Sequence, residues 1–355
     1  MPHTWRKPYV QGRPRVAFIY PNPRAALTRD IAAGREPDTA LLGQNHLGEH
    51  GIDAYVHDPA LARRGAGRVR WNLRELVLPL ELRQAHAVFT PLAALLPLAA
   101  RPLGPPVVVL NYGLNLIYRR ASAARRRLLR ASLRAARSVV CLGESQRREL
   151  LELTGLPAEH MRVALFGVDA EWWSPRPEPV PAPEPYVLAV GRDLARDYET
   201  LARAAEGLDL RVEIAAFARN VDGVRLPANV RRIEISAVQL REQVAGAAAI
   251  VVAQRRDGYP FGSEGGGLTT SLEAMAMARP LVVSDRAILR DYVRDGETAL
   301  VVPPEDPAAL RAAIERAVDD PGTLGAAARA RVEAELTTRH FAARIAPIVH
   351  EAAGA

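Results

Sequence analysis

The chain has a single cysteine, Cys141, in 355 residues, so neither an intrachain disulfide nor a cysteine-rich metal site can be built. Lysine is nearly missing as well: Lys7 is the only one, and arginine supplies the rest of the positive charge. Aromatic residues make up 5%, and no aromatic-interleaved basic motif accompanies the arginines, so nucleic acid is not expected as a partner. No long apolar run occurs. Ala87 to Ala100 comes nearest, but it is short and broken by Pro91 and Pro97, which argues against a membrane span. Met1 is followed by no apolar h-region, so no secretory signal is expected and cytoplasmic residence is. Two missing motifs narrow the chemistry further. Without G-x-G-x-x-G, dinucleotide redox chemistry is not indicated. Without D-x-D, a bound divalent cation is not expected, and no resident cofactor is either.

The composition that remains, 48% apolar and 25% charged, is that of a globular chain, and its length exceeds what one core usually organises. Ser174 to Pro185 reads SPRPEPVPAPEP, with proline at every second position; such a run favours extended polyproline and reads as a linker. Before it lie short β-branched runs at 16–20, 54–58, 87–90, 107–110, 139–142 and 163–166; after it come 186–191, 212–217, 250–253, 280–285 and 299–303. Helical, Ala- and Leu-rich stretches separate most of them, which implies parallel sheets covered on both faces. The fold class is therefore α/β, with two Rossmann-like domains and ligands expected at strand C-termini and in the cleft between them. The expected division is a first domain over 1–173, the linker 174–185, a second domain over 186–335, and a closing segment 336–355 whose helix packs back on the first domain.

Charge is unevenly spread: the first 170 residues carry +12 and the remainder −5. The first half is thus a surface for an anionic acceptor or for membrane headgroups. The stretch Tyr118 to Arg137 concentrates this charge, with Arg127, Arg130, Arg134 and Arg137 on one helical face and Ala121, Ala124, Leu128, Ala131 and Ala135 on another. A solvated helix is the plain reading, and peripheral docking to anionic lipid heads through residues 119–137 the functional one.

The most informative stretch runs from Asp257 to Asp306. Gly262, Gly265, Gly266 and Gly267 open directly into an Ala/Met/Leu helix that carries Glu273. Glycines let a backbone approach a ligand closely, and the first N–H groups of a helix present partial positive charge to an anion. A phosphate or diphosphate site follows.

Together with neighbouring motifs, this stretch resembles the donor-binding domain of two-domain (GT-B) glycosyltransferases, specifically glycosyltransferase family 4. The resemblance is carried by Glu273 with Ala274-Met275-Ala276, Pro280-Leu281-Val282-Val283, Asp295-Gly296, Val302-Pro303-Pro304, Val190-Gly191-Arg192 and Phe166-Gly167-Val168-Asp169. It covers roughly residues 135–320 well and the first domain in outline. It implies retaining transfer of a sugar from a nucleoside diphosphate sugar to an acceptor hydroxyl, without a metal. The acceptor would be an anionic or hydroxylated small molecule, glycan or lipid-linked compound. The resemblance also implies roles. Glu273 would hold the ribose diol, as a carboxylate suits by accepting two hydrogen bonds, and Leu268 and Thr269 would meet the diphosphate with backbone groups. Arg192 would grip the diphosphate, with Arg196 in the place of the usual lysine, and backbone near Ile235 and Ser236 would read a base that the sequence does not specify.

The chain departs from the family pattern in three places. The family's paired glutamates stand eight positions apart, whereas Glu264 and Glu273 are nine apart, with Gly265 at the expected place. Either a glycine bulge absorbs the extra residue and Glu264 reaches the donor sugar, or the first carboxylate is absent. Asn111 and Tyr112 stand where many relatives carry a histidine, which makes them acceptor-side candidates. Ala278 replaces a usual glycine. His46-Leu47-Gly48-Glu49-His50 matches H-x-x-E-H, but Gly48 and Gly51 weaken the helix a zinc site needs, leaving His46 as a candidate contact for the acceptor. The non-enzymatic alternative is a sugar-nucleotide-binding pseudoenzyme or assembly subunit.

Overall fold

A computed structural model describes residues 12–58, 75–91, 94–175, 184–320 and 322–354. The chain forms two compact units: Met1–Gly34, Asp38–Phe166 and Thr338–Ala355 make the first, and Arg35–Pro37 with Gly167–Thr337 the second.

The first unit is built on six strands: β1 (Arg15–Phe18), β2 (Asp53–Val56), β3 (Ala87–Thr90), β4 (Val107–Leu110), β5 (Ser138–Cys141) and β6 (Met161–Val163). They lie in the order β2-β1-β3-β4-β5-β6, all parallel. The central strands are mostly apolar, and β4 entirely so, because both faces are covered. Val16, Ala17 and Phe18 are buried, and Phe18 stacks on Phe89 with ring centroids 4.8 Å apart. One face packs Leu133 and Leu150 against Ala17, Val88, Val109 and Val139. The closing helix Thr338–Ala353 also packs against β1, β3, β4 and β5, burying Phe341, Ile345 and Val349.

The second unit repeats the design with β7 (Tyr186–Val190), β8 (Arg211–Ala215), β9 (Val230–Ile233), β10 (Ala249–Val252), β11 (Leu281–Ser284) and β12 (Leu300–Val302). The parallel order is β12-β11-β10-β7-β8-β9. Val187, Val251, Ile214 and Val282 centre its core.

The fold is thus α/β with two Rossmann-like sheets, and eleven of the twelve strands lie on or beside the β-branched runs. The exception is β9. Its sequence, Val230-Arg231-Arg232-Ile233, reads as charged, but it is an edge strand, and Arg231 Nε donates at 3.2 Å to Glu213, buried on β8. Cross-strand charge matching replaces apolar burial there. β6 also begins earlier than its apolar run, at Met161 rather than 163.

Two other expectations change. Residues 167–173, expected in the first domain, fall in the second unit. They join it because Val168 N–H donates to Leu336 O at 2.9 Å, and Arg329 Nη1 donates to the carbonyls of Ala170 (3.0 Å) and Trp173 (2.9 Å). Most of the Pro-rich linker, 176–183, lies outside the described residues. The basic stretch 118–137 is also not one helix. It divides into Leu114–Arg120 and Ala123–Ala135, because Ser122 adopts extended backbone and its hydroxyl accepts Arg125 N–H as an N-cap. The buried side of the second piece is Leu129, Ser132 and Leu133, so Leu128 faces solvent, 43% exposed, among the exposed Arg127, Arg130 and Arg134.

Candidate functional site

The C-terminal ends of β7 and β10, adjacent in the second sheet, bring together two segments distant in sequence. After β7 the chain turns at Gly191 and runs through Arg192, Asp193 and Arg196; after β10 it runs through Gln254 into the glycine loop. Gly267 has φ +95° and forms the N-cap of the helix Leu268–Ala276. A side chain there would be strained and would also meet Gln254 Oε1 at 2.6 Å. Gly262, with φ +90°, packs so close to Asp193 that an added Cβ would lie 2.2 Å from its Oδ1.

These contacts show why the loop needs glycine, and they reveal two braces that sequence reasoning missed. Asp193 accepts hydrogen bonds from Ser263 Oγ (3.0 Å) and Ala195 N–H (2.8 Å), tying the glycine loop to the β7 turn. Gln254, fully buried, donates through Nε2 to Gly266 O, and its own N–H donates to Ser284 Oγ at 2.9 Å. Nothing local in the sequence distinguishes either residue; each acts through a partner that only the fold supplies.

Arg196 is the centre of the site. It is 7% exposed, and Nη2 donates to Thr270 Oγ1 at 3.1 Å, on the first turn of the glycine-headed helix. Its Nε and Nη1 are buried and have no hydrogen-bond partner among the described residues. The guanidinium lies where a Cβ on Gly191 would fall 1.9 Å from Nε. Burial lowers its pKa, opposed by Tyr198, Asp193 and Glu273. An unsatisfied buried guanidinium is costly unless an anion joins it. On the same helix, desolvation pushes Glu273 up to about 8, against the opposing charge of Arg196. Ser271 Oγ on that first turn is buried as well and has no hydrogen-bond partner among the described residues.

Other expected contacts fall differently. Thr269 and Thr270 precede the first helical bond, from Ser271 N–H to Gly267 O, but Leu268 N–H already donates to Gly265 O at 3.1 Å. Leu268, expected at the diphosphate, thus has its N–H engaged within the turn, and the amides ahead of the first helical bond are those of Thr269 and Thr270. Arg192 is exposed and turns away from the glycine loop: its guanidinium sits 4.5 Å from the Phe217 ring centroid, and Nη2 reaches Ile235 O at 3.4 Å. Ser236 is occupied in a capping box with Gln239. Glu264 and Gly265 are half-buried at the loop's crest, and a Cβ on Gly265 meets nothing within 4 Å. Ala278, at the usual glycine position, has φ +53°; Arg279 N–H to Ala274 O and Ala278 N–H to Met275 O, both 3.0 Å, close a Schellman turn that glycine normally makes.

In the first unit, Asn111 is not available to an acceptor. It is completely buried; its Oδ1 accepts Leu114 N–H at 2.8 Å and its Nδ2 donates to Asn115 Oδ1 at 2.9 Å. It holds the start of the next helix. Its neighbour Tyr112 is 60% exposed. His46 is likewise engaged, with Nε2 2.7 Å from Asp38 Oδ2 and 3.3 Å from Thr338 Oγ1. Burial works against its protonation, but the hydrogen bond and charge of Asp38 hold its pKa above the ordinary histidine value. The segment Gln44–His50 is a 3-10 helix, which does not stack residues four apart. Among the described residues no group of three or more His, Cys, Asp or Glu is placed to hold a metal.

Two family models match the chain in sequence: Glycosyltransferase Family 4 over residues 24–172 and Glycosyl transferases group 1 over 186–320. The chain belongs to the family 4-like glycosyltransferases. This glycosyltransferase-family chain is 29% identical to a glycogen synthase of Mycobacterium tuberculosis over 217 residues, covering 56% of the chain and 49% of that relative. The chain thus spans about half the length of the curated relatives it matches. Its fold is similar to sucrose-phosphate synthase from Thermosynechococcus elongatus, with TM-score 0.69 and 19% identity, covering 96% of this chain and 99% of the other. It is also similar to Anabaena HepE solved in complex with UDP and glucose, with TM-score 0.69 and 13% identity over 94% of this chain and 98% of that one. Both likenesses are to the two-domain GT-B fold.

Proposed function

We propose that the chain transfers a sugar from a nucleoside diphosphate sugar to an acceptor hydroxyl, with retention at the anomeric carbon and without a metal. The observation that carries this reading is Arg196: a buried guanidinium with two unsatisfied nitrogens, Nε and Nη1, facing the first turn of a glycine-headed helix. A diphosphate supplies the missing acceptors, and Thr269 and Thr270 N–H groups add neutral donors. Glu273, deprotonated on binding, accepts the ribose diol.

In the reaction the bond from the anomeric carbon to the diphosphate oxygen breaks, the acceptor oxygen bonds to that carbon on the same face, and the acceptor proton leaves with the diphosphate. Fixed guanidinium and helix donors stabilise the departing charge, which is electrostatic preorganisation. They also supply positive charge of the kind a divalent ion would otherwise bring; a chelator should leave the rate unchanged. UDP bound to HepE makes uridine nucleotides the first to try, in carbohydrate or glycoconjugate assembly.

The acceptor is assigned to the first unit, whose exposed Tyr112 and basic helix Ala123–Ala135 suit an anionic or hydroxylated compound, including one carried at a membrane face. None of the described helices is long and apolar enough to cross a membrane. Isothermal titration with UDP-, GDP- and ADP-sugars tests the donor assignment: binding by none of them would end it. The reading in which the chain binds the donor without turnover rests on Gly265. Because a side chain fits there, Gly265→Glu restores the family spacing, and a gain of activity from an inert parent would favour that second reading.

A further inference from the structure

We infer that the second unit carries an additional site for a small neutral polyhydroxylated ligand of monosaccharide class, at the C-terminal ends of β11 and β12. A cavity of about 530 Å³ opens there, lined in part by Ser284, Asp285, Arg286, Arg290, Asp295 and Pro303. Its volume lies within the range of small-molecule sites, and a hexose fills only part of it.

Three features of the lining identify the ligand class. First, charge is balanced: two carboxylates face two guanidiniums, so an anionic or cationic ligand gains no net attraction over a neutral one. Second, donors and acceptors are both present. Asp285 and Arg290 form a bidentate pair, Oδ1 to Nε at 3.1 Å and Oδ2 to Nη2 at 2.9 Å. Asp295 spends one oxygen on Val301 N–H at 2.9 Å. Arg286, 4% exposed, donates Nε to Asp257 Oδ1 (2.6 Å) and Nη1 to Arg255 O (3.0 Å), and nothing among the described residues accepts from its Nη2. Hydroxyl groups, which both donate and accept, satisfy such a mixture; phosphate, which mainly accepts, does not. Third, Leu289, Val293, Val302 and Pro304 supply apolar surface, which suits the C–H face of a sugar ring.

The site is separate from the glycine mouth, whose Arg196, Thr270 and Glu273 do not line it. Two cavity residues nevertheless brace that mouth: Ser284 holds Gln254, and Arg286 holds Asp257 at the start of the glycine loop. The inference stands on the cavity alone and does not depend on the donor assignment.

Saturation-transfer NMR and calorimetry on the full chain provide the test, using glucose, mannose and N-acetylglucosamine as probes, with glucose 6-phosphate and inorganic phosphate as anionic comparisons. Neutral sugars should bind, and the double variant Asp285→Ala/Arg290→Ala should weaken them at least tenfold, about 1.4 kcal/mol. Arg290 is largely exposed, so this pair contributes little to folding, and a thermal melt checks that. Glu273→Gln should leave neutral-sugar binding unchanged while abolishing nucleotide binding, so the two assignments can fail separately. Equal sugar binding by wild type and the double variant, loss of it in Glu273→Gln, preference for the phosphorylated probes, or no binding at tens of millimolar sugar would each overturn the inference.

Discussion

The two sheets end in contrasting ways at their C-terminal edges. After β4 in the first unit, Asn111 is buried with its amide fully engaged, and the chain continues into the next helix with its polar groups paired. After β7 and β10 in the second, Arg196 is also buried yet lacks acceptors among the described residues for two of its guanidinium nitrogens. The same topology thus produces a finished turn in one place and an incomplete one in the other. Since a folded chain rarely leaves a buried charge unsatisfied without cause, the incomplete turn is the one proposed to receive the diphosphate.

Arg196→Ala is the sharpest way to break this contrast. Two charge-assisted bonds at about 1.5–3 kcal/mol each correspond to a loss of at least ~100-fold in kcat/KM. The melting temperature should hold or rise, because an uncompensated guanidinium leaves the interior; a large fall in Tm with catalysis intact would make Arg196 structural instead. Next in size is the glycine loop. Gly267→Ala forces a side chain into left-handed backbone, at about 1–2 kcal/mol, and against Gln254, so nucleotide affinity should drop about tenfold. Gly265→Ala, pointing into open space, should be indistinguishable from wild type, and calorimetry on the pair decides.

The third test uses pH. Folded, ligand-free chain holds a proton on Glu273 up to about 8, whereas the unfolded chain releases it near 4.5. The folded state therefore binds more protons over that window, so its stability falls as pH rises through it, and Glu273→Gln should flatten that slope. Nucleotide affinity should rise over the same window, with proton release, because the carboxylate is the form that accepts the diol; a flat affinity profile would detach Glu273 from the ribose. The smallest functional effect is expected on the finished turn. Asn111→Ala removes buried hydrogen bonds worth about 1–3 kcal/mol, lowering Tm by several degrees, while nucleotide affinity stays unchanged.

Much of this architecture was legible in the residues. The β-branched runs located eleven strands because strands buried on both faces leave an unbroken apolar signature. Charged β9 escaped because an edge strand can match an arginine, here Arg231, to a buried glutamate on its neighbour. Glu273 and the glycines were visible as a loop opening into a helix. Asp193 and Gln254 were not, since each is defined by a hydrogen bond to a loop residue 70 or 12 positions away. The basic stretch 118–137 misled because Ser122 caps a new helix inside it, and that helix buries Leu129, Ser132 and Leu133 instead of the face that carries Leu128.

What the sequence by itself determined is the alternation of apolar strands with amphipathic helices, the glycine-headed helix, and membership of a glycosyltransferase family, all properties of neighbours along the chain. Only the tertiary structure decided which polar residues remain available for chemistry. It buried Arg196 with acceptors for only part of its guanidinium and engaged Asn111 and His46 completely, because satisfaction of a buried polar group depends on partners that folding brings together from remote positions.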